Sequence, residues 1–121
     1  MNEFELIDRH FRREARDASV RVGVGDDAAV LAPSAGAELV LAVDMMVEGR
    51  HFLPGADPEA LGHKVLAVNL SDLAAMGARP RWALLALALP DDDDAWLAAF
   101  SRGLHALAGE HGVELVGGDT T

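Results

Sequence analysis

The spacing of apolar residues along the chain predicts three helices. They cover residues 3–16, about 57–77, and a segment that follows the acidic run 91–94 and ends at Gly112. In the second helix, Asp72 falls on an apolar stripe and has no Lys or Arg within one turn. Because a buried carboxylate without a cation is costly, we expect Asp72 to bind a cation, to be protonated, or to cap a new short helix.

Four shorter patterns predict strands. They cover residues 28–32, 38–44, 81–89 and 113–116, and a turn at 33–36 joins the first two into a hairpin. The order of elements predicts an α+β (α/β-like) fold, with a mixed sheet of about four strands and helices on one face. We expect one domain over residues 1–121. The apolar strand 81–89 needs cover on both faces, which predicts a two-fold homodimer.

Composition narrows the classes of function. The 121 residues carry a net charge of −10, with a single lysine and no cysteine. Nucleic acid and anionic membranes are excluded as partners because both require clustered basic residues, and thiolate metal sites are excluded as well. The N-terminus lacks the features of a signal peptide and the longest apolar run, 82–89, is too short to span a bilayer, so we expect a cytoplasmic protein.

Four aspartates carry the candidate chemistry: Asp27, Asp44, Asp72 and Asp119. Taken singly, an aspartate at a turn or strand end is usually a local cap. Glycines precede Asp27 and Asp119, however, and allow the backbone to approach a ligand closely, while Asp44 follows a predicted strand. If the four carboxylates converge, cations must lie among them, and oxygen ligands without thiolates favour Mg²⁺.

Two other features are less specific. The Gly-x-Gly sequence at Gly23 is not a dinucleotide fingerprint, because two acids and a strand follow it where a helix N-terminus is required. His51 lies in an irregular loop, residues 45–58, where a lone histidine is more often a surface residue than a functional one. The residue pattern leaves the role of His51 open.

Four motifs together resemble the N-terminal domain of bacterial thiamine-monophosphate kinase, a member of the aminoimidazole ribonucleotide synthetase-like superfamily. They are GVGDDA (residues 23–28), VDMMVEGRHF (43–52), NLSDLAAMGA (69–78) and GGDTT (117–121). Their order and spacing match along nearly the whole chain. Relatives in the superfamily share the third motif in looser form, whereas the loop around His51 and the GGDTT ending are more specific to the kinase.

The resemblance implies Mg²⁺-dependent transfer of the γ-phosphoryl group of ATP to thiamine monophosphate, giving thiamine diphosphate and ADP. It implies that several Mg²⁺ ions are held by the aspartates named above, that His51 contacts the substrate phosphate, and that Gly118 and Asp119 contact the nucleotide. It further implies that two copies pair their sheets into a dimer-wide β-barrel. The family has hydroxyl residues where this chain has Ala42 and Val43, so a metal contact there must use their backbone carbonyls or be lost.

Family members are longer and carry a C-terminal domain that residues 1–121 do not include, so we expect this chain to be a fragment with little activity alone. Two alternatives remain. One is another ATP-using relative of the aminoimidazole ribonucleotide synthetase type. The other is a non-catalytic, dimerising metal-binding module that keeps the fold without the chemistry.

Overall fold

Three helices and four strands form the regular structure of residues 2–91 and 93–121, which a computed structural model describes. In chain order they are α1 (Glu3–His10), β1 (Val20–Val22), β2 (Val30–Leu31), α2 (Pro58–Ala75), β3 (Trp82–Leu87), α3 (Asp94–His111) and β4 (Glu114–Thr120). The mixed α+β class is confirmed. None of these helices is both long enough and apolar enough to cross a membrane.

The ends of α2 and α3 follow from local sequence. Asp57 caps α2 by accepting a hydrogen bond from the Ala60 amide at 3.1 Å, and Pro58 is the first helical residue. Asp93 caps α3 in the same way, and α3 ends at Gly112 in the left-handed conformation, with φ +66°. These helix predictions are confirmed, although Asp92 in the acidic run lies outside the described residues.

The first helix is shorter than predicted, because it ends at His10 rather than at residue 16. Beyond His10, the residues make contacts with distant parts of the chain. The Phe11 side chain is buried in the core, and the backbone amides of Arg16 and Asp17 donate to the carboxylate of Glu114. The Arg16 amide, which would close the last turn of a helix over residues 3–16, is therefore bonded outside the helix.

Helix α1 is fixed to the start of α3 by charged groups. Arg9 donates to Oδ1 of Asp94 at 2.9 Å, and Nε2 of the buried His10 lies 2.8 Å from the same oxygen. The hydrogen bond from Arg9, followed by that from His10, lowers the pKa of the Asp94 carboxyl. In α3 itself, burial lowers the pKa of His105, which favours the neutral ring.

The four strands form two separate two-stranded sheets, so the prediction of one four-stranded sheet is not confirmed. Strands β1 and β2 are antiparallel, with Val20 opposite Leu31. Strands β3 and β4 are parallel, with α3 as the crossover between them, and Trp82 lies opposite Glu114. Leu85, Leu87 and Leu89 face the core from β3 and its continuation.

The predicted hairpin between residues 28–32 and 38–44 is wrong. The turn between them forms, with the Ala37 amide donating to the Ser34 carbonyl at 3.2 Å. The first arm, however, pairs with β1 rather than with the second arm. Residues 38–44 belong to no strand. Asp44 therefore does not lie at the end of a strand. An alternating pattern specifies a strand only when a partner supplies hydrogen bonds, and no described residue does so for this segment.

The core lies between α2 and α3 and extends to the β3–β4 sheet. Phe100, Leu97 and Val116 are its most deeply buried large side chains. The two helices cross at a pair of glycines, Gly62 and Gly103. A Cβ atom at Gly62 would overlap the backbone carbonyl of Phe100, and one at Gly103 would overlap that of Glu59. The absence of both side chains sets the distance between the helices.

Much apolar surface stays exposed elsewhere. Leu41 is 89 % exposed and Val43 is 92 % exposed in the segment without a strand partner, and Leu84 is 71 % exposed on the outer face of β3. Parallel sheets are nearly always covered on both faces. The outer face of the β3–β4 pair and residues 39–45 are thus surfaces of a kind that usually meets further protein.

Replacing Gly103 by Ala is expected to lower the free energy of unfolding by about 1–3 kcal/mol, because the added methyl group forces α2 and α3 apart. The matched control is Gly109→Ala in the same helix, where a Cβ atom meets nothing within 4 Å. That change is expected to raise stability by about 0.4–1 kcal/mol. Urea unfolding of the two variants checks the pair, and equal stabilities would contradict the packing argument.

Candidate functional site

The four aspartates of the sequence analysis share one property in the structure. Asp27, Asp44, Asp72 and Asp119 are all exposed. Within residues 2–91 and 93–121, none of their carboxylates takes part in an ion pair or accepts a hydrogen bond. These side chains are therefore not local caps, which was the simpler reading of each one taken alone.

Most other described aspartates do have a structural partner. Asp57 and Asp93 cap helices, and Asp26 accepts from the amide of Asp27 at 2.8 Å. Asp17 accepts from the Ser19 amide, and this hydrogen bond is the largest cause of its lowered pKa. Asp94 is held by Arg9. The aspartates assigned to a site from the sequence are thus separated by the structure from those that serve the fold.

For Asp72 the structure removes one of the three explanations, the helix cap, together with the burial from which the other two were argued. Helix α2 continues unbroken from Pro58 to Ala75, so Asp72 lies in its last turns and caps no new helix. The expected burial is also wrong, because Asp72 and the neighbouring Met76 are exposed. Only the first half of α2 packs deeply, at Leu61, Gly62 and Leu66. In the C-terminal half, Ala67 and Leu70 are only partly buried against the core.

The donor set fits Mg²⁺ in chemistry, since it offers free carboxylate oxygens and no thiolates. Across residues 2–91 and 93–121, however, no group of three or more His, Asp or Glu side chains lies close enough to hold a metal ion. Mg²⁺ is commonly bound by one or two protein carboxylates, with waters and substrate phosphates completing its shell. The arrangement therefore suits metal that arrives with a phosphate ligand better than a closed protein cage.

Two of the four aspartates belong to segments that meet. The position of a Cβ atom at Gly117 lies 4.0 Å from the Cβ atom of Ala29, so the turn that carries Asp27 approaches β4. Asp119 follows Gly117 by two residues in β4, and alternate residues of a strand share a face. The Asp27 turn and Asp119 are consequently placed on the same side of this strand.

Gly118 has a steric reason to be glycine. Its φ of +143° lies in the region that favours glycine, and a Cβ atom there would overlap the Leu85 carbonyl of β3. The sequence predicted that this glycine pair would follow a strand. It lies inside β4 instead, where the backbones of β3 and β4 approach closely. The close approach explains the residue whether or not a nucleotide contacts it.

Ala42 and Val43 lie in the exposed segment that precedes Asp44. No backbone group of residues 38–46 forms a hydrogen bond within the described part of the chain. The carbonyls of Ala42 and Val43 are therefore free to bind a ligand. A neighbouring strand would use the same carbonyls.

His51 lies in a tightly closed turn, residues 47–52. The His51 amide donates to the Val47 carbonyl at 2.9 Å, the Gly49 amide donates to the Phe52 carbonyl at 2.7 Å, and Phe52 packs against the core. The Val47 amide in turn donates to Nδ1 of His51 at 2.9 Å. Since Nδ1 is an acceptor there, the neutral ring carries its proton on Nε2, which becomes the donor available to a ligand.

A cleft of about 490 Å³ lies beside this turn. Its wall includes His51, the loop residues 52–57, and Ala60, Leu61 and Lys64 from the first turns of α2. The ammonium group of Lys64 donates to the His51 carbonyl at 2.8 Å. Two positively ionisable side chains thus border one cleft of a strongly acidic chain, a suitable arrangement for an anion.

Lys64 was not identified from the sequence as a site residue. The available signal was that it is the only lysine in the chain. The sequence did not show that helix α2 brings this lysine back to a loop 13 residues earlier.

Comparisons with known proteins show which family the chain belongs to. Thiamine-monophosphate kinase of Escherichia coli (strain K12) is 51 % identical over 98 % of this chain, and that of Haemophilus influenzae is 47 % identical over all of it. The Bacillus subtilis protein of the same name is 43 % identical over 99 %. The crystal structure of thiamine-monophosphate kinase from Stenotrophomonas maltophilia K279a matches 98 % of this chain with a TM-score of 0.87 and 50 % identity.

The chain spans only part of these relatives, between 37 % and 38 % of the length of each. The sequence profile of the family described as "AIR synthase related protein, N-terminal domain" matches residues 25–121. This range contains all four aspartates, His51, Lys64 and the glycine pair of β4. The chain therefore belongs to the AIR synthase related protein family, and residues 25–121 correspond to the N-terminal domain of that family.

Proposed function

We propose that this chain is the N-terminal, Mg²⁺- and ATP-binding part of an enzyme that transfers the γ-phosphoryl group of ATP to thiamine monophosphate, giving thiamine diphosphate and ADP. The observation that carries the proposal is the identity of 43–51 % over nearly the whole chain to proteins named thiamine-monophosphate kinase. Because this chain spans little more than a third of those proteins, the complete active site is taken to need further sequence. We also propose a cytoplasmic location, where ATP is available.

The four unpaired aspartates are proposed to hold Mg²⁺, with Asp119 also facing the nucleotide. When bound, Mg²⁺ neutralises phosphate charge and aligns donor and acceptor. The structural support is the contrast between these carboxylates, which have no partner among the described residues, and Asp57, Asp93 or Asp94, which do. The backbone carbonyls of Ala42 and Val43 are the proposed additional ligands next to Asp44.

The acceptor phosphate is proposed to bind at the cleft beside α2. His51 offers its Nε2–H as a donor to a phosphate oxygen, since Nδ1 is occupied by the Val47 amide. Gly118 is the proposed backbone contact to ATP, because a residue without a side chain lets a ligand approach the strand closely. A phosphate oxygen is already ionised at neutral pH, so this reaction needs positioning and charge neutralisation rather than a strong general base.

The alternative within the family is another ATP-using enzyme of the aminoimidazole ribonucleotide synthetase type. The family profile supports it as much as it supports the kinase. The names of the relatives and the His51 turn favour the kinase. The alternative of another class is a non-catalytic module, which the exposed and ungrouped carboxylates allow.

The proposal predicts that the product of the complete reading frame converts thiamine monophosphate and ATP to thiamine diphosphate and ADP only when Mg²⁺ is added. Asp72→Asn is expected to raise the Mg²⁺ concentration that gives half of the maximal rate by at least roughly tenfold. Loss of even an indirect contact to a metal lowers metal affinity by about tenfold or more. The measurement is chromatographic product analysis across a Mg²⁺ series.

The control is Asp8→Asn, which removes an exposed carboxylate of the same size on α1 that pairs, among the described residues, only with Arg12. Exposed pairs of this kind contribute little, so wild-type behaviour is expected. Turnover of an aminoimidazole ribonucleotide precursor in place of thiamine monophosphate would select the first alternative. Equal Mg²⁺·ATP affinity in wild type and Asp72→Asn, with no turnover, would select the inert module.

We further propose that two copies of the chain form a two-fold dimer through residues 39–45 and the outer face of β3, with their sheets joined into a β-barrel. Three features support this: the exposed apolar side chains of the segment, its free backbone hydrogen-bonding groups, and the uncovered face of a parallel sheet. Strand addition by a second copy would satisfy all three together.

The dimer proposal predicts that Leu41→Glu shifts the chain to monomers in sedimentation-velocity experiments, because a charge placed in an apolar, paired strand is costly to bury. The control is Phe4→Glu on α1, where the side chain is similarly exposed at 80 % but outside the proposed interface. This variant is expected to remain dimeric. A wild-type chain that sediments as a monomer at all concentrations would refute the proposal.

A further inference from the structure

We infer that Lys64 is a positioning residue for His51. Through its hydrogen bond to the His51 carbonyl, Lys64 holds the 47–52 turn in the conformation that presents the imidazole Nε2–H to the acceptor phosphate. The inference rests on the proposed function, because it takes thiamine monophosphate as the ligand of the cleft. It adds a residue to which the sequence motifs gave no role.

The first observation is how the turn is anchored. Its backbone is closed by hydrogen bonds between Val47 and His51 and between Gly49 and Phe52, and the Phe52 side chain contacts the core. These contacts fix the shape of the turn and one of its ends. The contact between Lys64 and the His51 carbonyl is a hydrogen bond that joins the turn directly to helix α2. Helix α2 is rigid at this point, because Gly62 packs against α3 two residues earlier.

The second observation is that Lys64 has no competing partner in the described part of the chain. The ion pairs among those residues do not include it. Asp57, a carboxylate on the wall of the same cleft, already accepts the Ala60 amide as the cap of α2. The ammonium group of the only lysine is therefore committed to a backbone carbonyl, where a charged donor makes a stronger hydrogen bond than a neutral one.

The third observation links this contact to chemistry. The Val47 amide meets Nδ1 of His51 only while the residue keeps its present backbone position and ring rotation. Because Lys64 binds the carbonyl of the same residue, its loss lets the backbone of residue 51 move and weakens the Val47–Nδ1 bond. The neutral ring is then free to place its proton on either nitrogen, and the donor toward the phosphate is present for only part of the time.

A direct contact between Lys64 and the phosphate is the competing role, and a double-mutant cycle separates the two. The variants are Lys64→Met, His51→Ala and the pair, in the product of the complete reading frame. Lys64→Met is expected to raise the KM for thiamine monophosphate about tenfold, the effect of one charged hydrogen bond, with kcat and the KM for ATP within about twofold of wild type. In the His51→Ala background, the same change is expected to have almost no effect.

Two control variants accompany the cycle. Lys64→Arg keeps the charge and the donors and is expected to recover most of the affinity. Arg102→Met removes one positive charge from an exposed position on α3, where Arg102 reaches Glu59 only at 4.0 Å, and is expected to behave as wild type. An equal effect of Arg102→Met would show that net charge, rather than the Lys64–His51 contact, sets the affinity.

A measurement of the His51 tautomer without substrate tests the role of Lys64 independently of the proposed kinase function. Long-range ¹H–¹⁵N spectra of residues 1–121 at about pH 8.5, two units above the reference histidine pKa, report the ring tautomer. The His51 signals are identified by their loss in His51→Ala. Wild type is expected to show Nε2 protonated and Nδ1 unprotonated, and Lys64→Met is expected to show averaged nitrogen shifts.

Each experimental outcome leads to a different conclusion. If the Lys64→Met penalty persists in full in the His51→Ala background, Lys64 binds phosphate directly and the positioning role is overturned. If Lys64→Met changes neither the tautomer nor the KM, the inference is wrong while the kinase proposal stands. If the wild-type enzyme does not use thiamine monophosphate, the proposed function fails, and the tautomer spectra alone decide whether Lys64 controls His51.

Discussion

At the crossing of α2 and α3, each helix has a glycine at the point where the backbone of the other helix comes closest. Gly62 faces the Phe100 carbonyl and Gly103 faces the Glu59 carbonyl, and neither position has room for a methyl group. This contact fixes the placement of α2, and α2 carries both Lys64 and Asp72. The geometry of the cleft and the position of one proposed metal ligand therefore depend on two side chains that are absent.

In the rest of the molecule, some groups have their hydrogen-bonding or packing partners within the chain and others do not. Capping aspartates, the Arg9–Asp94 contact and the Phe100 core are complete within the chain. Other groups have no partner among the described residues. They are the four site aspartates, the backbone of residues 38–46 and the exposed side chains of Leu41 and Val43. Carboxylates without partners suit cations, and unpaired backbone with apolar side chains suits another strand. Both kinds of surface are common where a domain works as one part of a larger assembly.

The proposed anion site lies in a strongly acidic chain. Its net charge of −10 opposes phosphate binding at long range, but screening limits that effect to about 8–10 Å at moderate salt. Within that distance, the Nε2–H of His51 and the ammonium of Lys64 are the relevant groups. The single lysine is used to organise the donor, and metal-bound carboxylates are proposed to supply the remaining charge neutralisation.

The sequence by itself determined the features that depend on neighbouring residues. Asp57 with Pro58, and Asp93 with Gly112, specify helix ends because the capping groups lie within one turn of the amides they bind. The same holds for the apolar strand β3. Tertiary structure decided the pairing of β2 with β1, the early end of α1 at His10 and the exposure of Asp72. It also decided the contact between Lys64 and His51, because hydrogen bonds between distant segments depend on which surfaces the packed helices leave within reach, and a local pattern of residues does not contain that information.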